Sequence, residues 1–180
     1  AIGEEFGIPA GKNTIGKIFT ALRMLGFDTV FDTSFSADLT VIEEANELLY
    51  KLKNGEQKYP LGNSLPLFTS CCPGWVRFVE TKHRDMLPYV STCKSPMEMF
   101  GAVIKEYYKP ADKEAGLETV SVAVMPCVAK KYEAARDEFK RNDVPDVDYV
   151  ITTKELILMI KELGIQFDEI EPSAPDMPFS

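Results

Sequence analysis

Histidine is almost missing: His83 is the only one in 180 residues. Any Ser-His-Asp or Cys-His constellation must therefore use His83 as its base, which removes most hydrolase readings. Cysteine is sparse as well. Cys71, Cys72, Cys93 and Cys127 form no Cys-x-x-Cys pair and fall far below the density of a disulfide scaffold. No apolar run is long enough to cross a bilayer. The chain opens without Met and shows no basic segment followed by an apolar run, so no secretory signal is visible, and it closes on a Pro-rich stretch. From these ends we expect a piece of a longer polypeptide or a processed product. The expected setting is cytoplasmic, with the periplasm as the alternative, and the cysteines are expected as thiols.

Positive charge is also short. Twenty Lys and Arg stand against 28 Asp and Glu, for a net charge of −8. A duplex-DNA binder needs a basic stripe to neutralise phosphates, and docking on an anionic membrane needs the same, so neither partner is expected. What is present is core material: 45% apolar and 27% charged residues, enough for one ordinary domain or part of a larger one.

Apolar residues at Ile15, Ile18, Phe19, Leu22 and Leu25 mark one face of a helix stopped by Gly26. Phe27 to Asp32 reads as a short strand. Ser36 is expected to cap a second helix with Leu39, Ile42, Leu48 or Leu49, and Leu52 as its apolar face. A loop carrying Asn54-Gly55 and Gly62-Asn63 follows. Leu65 to Thr69 is a buried strand candidate. Ser95-Pro96 marks a further helix start, with Met97, Phe100, Ile104 and Tyr107 or Tyr108 on one face. Thr119 to Val124 and Val147 to Ile151 are the remaining strands. A charged helix begins near Ala129, and Thr152 with Glu155 predicts a capping box for a last helix ending at Gly164. Strands alternating with helices imply an α/β fold, a roughly four-stranded and mainly parallel sheet flanked by helices. Residues 167–180 are assigned no regular structure, and neither an internal repeat nor a domain boundary is evident.

In a parallel sheet the strand C-terminal ends share one rim, where open α/β folds bind ligands. Cys71 and Cys72 follow one predicted strand directly, and Cys127 follows another. Two strand-to-helix turns thus aim thiols at one edge, each near a helix N-terminus that favours thiolate. Thiolates are what a soft metal or an iron–sulfur cluster takes. A buried Cys acting as a small hydrophobe is the competing reading, and it suits Cys93 best. Pro126 stiffens the approach to Cys127. Lys130 lies one turn beyond, placed to hold an ammonium over the site, with Glu133 one turn further to orient it or simply to pair with it on a solvated face.

Phe68-Thr69-Ser70-Cys71-Cys72-Pro73-Gly74-Trp75 resembles the first active-site signature of the iron-only ([FeFe]) hydrogenases, and Met125-Pro126-Cys127-Val128-Ala129-Lys130-Lys131-Tyr132-Glu133 resembles the second. Gly3-Glu4-Glu5-Phe6-Gly7, Ala37-Asp38-Leu39-Thr40, Cys93-Lys94-Ser95-Pro96 and Val147-Asp148-Tyr149-Val150 are similar to that family in its usual order. The resemblance implies one half of a two-lobed domain that holds an H-cluster: a [4Fe–4S] cubane joined by a Cys to a di-iron centre with CO, cyanide and a bridging dithiolate. It implies Cys72 and Cys127 as cubane ligands and Cys71 as the proton carrier beside the di-iron unit. Lys130 would hydrogen-bond a cyanide, with Met125, Pro126 and Met97 close to the same unit. A proton path would continue through Glu44, Ser91 and Glu47, with Lys51 able to pair with Glu47 at its outer end. The implied reaction is reversible, two protons and two electrons giving hydrogen. The implied partners are the C-terminal half of the same catalytic domain, a ferredoxin- or NADH-linked electron carrier or subunit, and maturation proteins.

The family's third signature, with two further cubane cysteines, is absent, since no Cys follows Cys127. Met97 stands where many members carry Gln. We therefore expect residues 1–180 to be the first half of the catalytic domain, with an incomplete cluster site and no turnover alone. Within the family, the alternatives are a non-catalytic iron–sulfur relative and a sensory one. Outside it stand a structural zinc module, whose Cys spacings of 1, 21 and 34 are unlike zinc pairs, and a cysteine hydrolase built on His83.

Overall fold

The computed structural model describes residues 2–54 and 65–179. Of the predicted loop, Gly55, Gly62 and Asn63 lie outside the described residues. In chain order the regular elements are α1 (Ile15–Met24), α2 (Ser34–Asn54), α3 (Pro73–Lys82), α4 (Pro96–Val103), α5 (Lys109–Glu114), β1 (Val122–Met125), α6 (Ala129–Ala134), β2 (Lys140–Arg141), β3 (Val144–Pro145), β4 (Tyr149–Thr152) and α7 (Thr153–Glu162). They are distributed over two compact units. One comprises Ala1–Asp32, Val124–Pro126 and Ile151–Ser180; the other comprises Thr33–Ala123 and Cys127–Val150. Each is assembled from separated stretches of chain, so no local composition shift marks a boundary.

The first unit is built on α1 and α7. The α1 stripe behaves as its spacing predicts: Phe19 and Leu22 are buried, with Ile18 and Leu25 packed against them, while Ile15 stays exposed. Gly26 closes the helix with φ 95°, a conformation costly for a residue with a Cβ. The capping box of α7 forms as read: the Glu155 amide donates to Thr152 Oγ1 at 3.2 Å, and the Thr152 amide donates to Glu155 Oε2 at 2.6 Å. Leu156, Ile160 and Phe167 are fully buried, and Phe167 sits 4.7 Å from the Phe6 ring.

The chain beyond Phe167 is tied to α1 by side chains rather than by a ladder. Lys17 Nζ donates to the carbonyls of Asp168 (2.9 Å) and Ile170 (2.6 Å), and Thr20 Oγ1 donates to that of Glu171 (2.7 Å). The predicted strand Phe27 to Asp32 is reduced to one parallel bridge, Phe31 with Asp176. Its neighbouring amide, Val30, is taken by the Asp176 carboxylate at 2.7 Å, and Arg23 holds that carboxylate at 3.0 Å, so the ladder stops.

In the second unit α4 packs on α2, with the Phe35 and Phe100 rings 5.4 Å apart and Met99 Sδ 3.2 Å from Thr40 Oγ1. Ser95 and Pro96 start α4 as predicted, and Met97 and Phe100 are buried. Of the two tyrosines offered for the end of that face, Tyr108 is the half-buried one and Tyr107 is exposed, in a π-turn over Ile104–Tyr108. Two expectations about α2 are corrected. The helix starts at Ser34, and Ser36 lies inside it, donating to the Thr33 carbonyl at 2.9 Å instead of capping. Its buried face is Ser36, Thr40, Glu47 and Lys51, while Ile42 (57%) and Leu52 (59%) are exposed.

The α/β class stands. β1 and β4 pair as a two-stranded parallel sheet, and β2 pairs antiparallel with β3. Predicted strand Leu65 to Thr69 contributes a single parallel bridge, Phe68 to Val90: Phe68 donates to Tyr89 O, and Ser91 donates to Phe68 O, both at 2.7 Å. The partner chain arrives from a 3-10 turn over Arg84–Tyr89 with Pro88 in it, so pairing goes no further. Trp75 packs on Phe68 (6.0 Å) and Phe78 (6.2 Å), and His83 packs on Phe78 at 5.0 Å.

Gly101 in α4 is fixed by close approach. A Cβ there would lie 2.5 Å from Asp146 O and 2.6 Å from Val147 Cγ2. Gly101→Ala would gain about 1 kcal/mol of helix propensity and lose about 1–3 kcal/mol to overpacking against backbone. The backbone clash decides the sign, and urea unfolding is expected to show a net loss of stability.

Candidate functional site

Two turns of the second unit carry the exposed cysteines. Cys71 and Cys72 end the segment before α3, with Cys72 in extended conformation (φ −100°, ψ 109°) as the residue preceding Pro73. Pro73 fits the first helical position because its missing N–H has no role there. Cys127 lies between β1 and α6. All four cysteines are free; Cys71, Cys72 and Cys127 are exposed and Cys93 is half-buried.

Lys130 joins the two turns. Its backbone amide donates to the Cys127 carbonyl at 3.1 Å, and its Nζ donates to the Cys71 carbonyl at 2.9 Å. Nζ also donates to Glu133 Oε2 at 2.6 Å, and both of these side chains are largely buried. An ammonium has three N–H donors. Among the described residues two have protein acceptors, Cys71 O and Glu133 Oε2, which leaves one for a ligand.

The packing of α3 on α6 holds this arrangement. Arg136 pairs with Glu80, and the Arg136 guanidinium holds the Glu80 carboxyl below its ordinary value. Two guanidinium groups lie near the Tyr132 ring, Arg77 at 5.8 Å and Arg136 at 5.7 Å from its centre.

A second cluster centres on Glu47. Its Oε2 accepts from Ser91 Oγ at 2.7 Å and from the Thr92 amide at 3.2 Å, and Oε1 lies 2.8 Å from Lys51 Nζ. The two charged side chains are each 1% exposed, so this is a buried pair and not the solvated end of a helix face. Burial opposes the charged form of Glu47. Hydrogen bonds from Lys51 and Ser91, the Lys51 charge and the Thr92 amide outweigh it and hold the carboxyl below its ordinary value. Cys93 belongs to the same cluster, its Sγ 3.6 Å from Glu47 Oε2. Burial pushes the Cys93 thiol up to about 11; the Ser91 hydroxyl opposes this, and the Glu47 and Glu44 charges add to it.

The residues expected at a site thus separate into three placements. Lys130 links the Cys71–Cys72 turn to the Cys127 turn through the main-chain carbonyls of Cys71 and Cys127. Ser91 and Glu47 come together. Glu44 lies half-buried on α2 with Oε1 lacking a hydrogen-bond partner, and among the described residues no hydrogen bond links the Cys71 thiol or Glu44 to Ser91. Met97 is buried on α4, Met125 ends β1, and Pro126 is exposed beside Cys127. The roles of the Thr92 amide and of Cys93 escaped the sequence reading, since an amide carries no signature and a lone Cys reads as core.

The donor set is soft but partial. Two thiols next to helix starts suit an iron–sulfur cluster, yet a cubane takes four. Among the described residues no three His, Cys, Asp or Glu side chains are grouped to hold a metal ion. The chain's residues fit one side of such a site.

The whole chain is similar to proteins of one family. A profile described as "Iron only hydrogenase large subunit, C-terminal domain" matches residues 1–180. The NADP-reducing hydrogenase subunit HndD of Solidesulfovibrio fructosivorans is 49% identical over 181 residues, covering 99% of this chain and 30% of that protein. The cytosolic Fe-S cluster assembly factor narfl of Xenopus tropicalis is 33% identical over 171 residues, covering 93% of this chain and 35% of that protein. A solved structure of HydA(deltaEFG), reported for stepwise [FeFe]-hydrogenase H-cluster assembly, superimposes with a TM-score of 0.85 at 43% identity, covering 99% of this chain and 43% of that one. The chain spans less than half the length of each of these relatives. No helix among the described residues is long and apolar enough to cross a membrane.

Removing Lys51 strands a buried carboxylate. Lys51→Met is expected to cost about 3–5 kcal/mol near pH 7. The pH dependence should also change sign. In the wild type the folded carboxyl titrates below 4.5, so its contribution is present above that value and is lost as pH falls through the folded pKa. In the variant burial dominates and raises the folded pKa, so stability falls as pH rises from about 4.5. Urea unfolding across that range distinguishes the two slopes.

Proposed function

The chain belongs to the iron-only hydrogenase large-subunit family, and from that premise we propose that residues 1–180 are the first half of an [FeFe] hydrogenase catalytic domain. In this reading the whole protein interconverts protons and hydrogen, 2H⁺ + 2e⁻ ⇌ H₂, and the 180 residues alone do not. The observation that carries it is Lys130, which ties the Cys71–Cys72 turn to the Cys127 turn and keeps one ammonium donor for an anionic ligand.

Cys72 and Cys127 are the thiolates offered to a [4Fe–4S] cubane, the remaining two coming from the C-terminal half. The di-iron centre with CO, cyanide and dithiolate, when bound, supplies the redox chemistry. Lys130 would offer its remaining N–H to a cyanide, with Glu133 keeping the ammonium in place. By the family's motifs, Met97, Met125 and Pro126 would each be assigned to the di-iron centre. Cys71 carries the proton, because a thiol gives one up nearer neutrality than a hydroxyl does. Glu44, Ser91 and Glu47 form the onward route. The Ser91–Glu47 hydrogen bond supports the end of that route away from Cys71. Partners are the C-terminal half, a ferredoxin- or NAD(P)-linked electron carrier, and maturation proteins; a relative named as NADP-reducing supports the second type of carrier.

A non-catalytic iron–sulfur role is the second reading, favoured by the relative named as an assembly factor. The two are separated in the full-length protein after maturation. Cys71→Ser is expected to lower hydrogen evolution by about a hundredfold or more with iron content unchanged, whereas Cys72→Ser loses the cubane spectrum. An iron-loaded wild type that evolves no hydrogen decides for the second reading. Reconstituting the 180 residues alone is expected to give no hydrogen, and robust turnover there would contradict the half-site.

A further inference from the structure

Glu98 occupies the first turn of α4, and neither cysteine turn nor the Glu47 cluster uses it. Its backbone amide is bound by Ser95 Oγ at 3.5 Å, so the helix start accounts for the main chain alone. The side chain is 0% exposed, and among the described residues neither carboxyl oxygen has a hydrogen-bond partner. Four charged groups act on it: Glu133 and Lys130 on α6, Asp146 before β4, and Lys94 before α4. These are already matched. Lys130 pairs with Glu133 at 2.6 Å, and Lys94 pairs with Asp146. Two ammonium groups cancel two carboxylates, and Glu98 is the third carboxyl with no counter-ion left.

A bare carboxylate that is fully buried and has no donor among the described residues is disfavoured, and the outcome of such burial is neutralisation. Burial is the largest cause, the Glu133 and Asp146 charges add to it, Lys94 and Lys130 oppose it, and the carboxyl is pushed up to about 8.

We propose that Glu98 is a proton-storing site behind the Lys130–Glu133 pair: a neutral carboxylic acid whose proton keeps the Lys130 ammonium committed to a single carboxylate. Releasing the proton breaks one O–H bond, passes H⁺ to solvent and leaves a second carboxylate competing with Glu133 for the same ammonium. Glu98 is therefore a positioning residue for Lys130. Its protonation stands independently of the hydrogenase reading, and the meaning for an anionic ligand on Lys130 rests on that reading.

The experiment is an infrared titration of the chain between about pH 5 and about pH 10, paired with ¹⁵N detection of the Lys130 ammonium. A protonated-carboxyl C=O band is expected to persist at neutral pH and to disappear with a midpoint near 8, the Lys130 resonance moving with it. Glu98→Gln, which copies the shape of the neutral acid, should abolish both transitions. Asp146→Asn provides a second arm if that variant does not fold; removing the negative charge and freeing Lys94 should lower the midpoint by about one unit or more. Absence of the band above about pH 6, its survival in Glu98→Gln, or a midpoint unmoved by Asp146→Asn would overturn the proposal. None of these readouts uses hydrogen evolution, so failure here is distinct from failure of the proposed function.

Discussion

Two turns separated by more than fifty residues are linked through one residue, Lys130. Lys130 reaches the Cys71 carbonyl with its side chain and holds the Cys127 carbonyl with its own amide, so the spacing of the two thiol-bearing turns is set by a single side chain. Glu133 fixes the direction of that side chain from one turn further along α6. The α3–α6 contact, with Arg136 on Glu80 and both Arg77 and Arg136 against the Tyr132 ring, holds the helices that follow the two turns together. Cys72 and Cys127 are only as well placed as this scaffold. An exposed pair of thiols is useful to an inorganic cluster when the protein, and not the cluster, sets the starting geometry.

Charge is buried in this unit on a scale that its hydropathy does not announce. Helix α2 turns Ser36, Thr40, Glu47 and Lys51 inward and leaves Ile42, Leu49 and Leu52 outward, the reverse of the usual amphipathic arrangement. The inward groups have partners: the Ser36 and Thr40 hydroxyls donate to carbonyls of Thr33 and Ser36, and Glu47 takes Ser91 and Thr92 from a distant segment and Lys51 from its own helix. Glu98 lacks a hydrogen-bond partner at both carboxyl oxygens among the described residues, and α4 presents it to a neighbourhood whose charges are already paired.

Legibility in the sequence followed the range of the interaction. The Thr152–Glu155 box, the Ser95-Pro96 start and the Gly26 stop are contacts within four residues, and all three appear where they were read. The adjacency of Cys72 to a helix start was legible for the same reason. The α2 face was misread because apolar periodicity assumes that water lies on the polar side, and here the polar side meets Ser91 and Thr92 from a distant segment. Two strand candidates shrank to single bridges because their partners, Asp176 and Val90, sit in irregular chain that no periodicity marks. Glu98 carried no signal at all, since a Glu in the first turn of a helix is ordinarily a solvated complement to the dipole.

The Glu47–Lys51 contact spans one helical turn, while the contact of Glu47 with Ser91 joins residues 44 apart in sequence. The first closes no loop and is available as soon as α2 is helical; the second must wait for a long loop to close. In the folded chain the Ser91 hydroxyl and the Thr92 amide thus meet a carboxylate already matched by its own helix, a dipole rather than a bare anion.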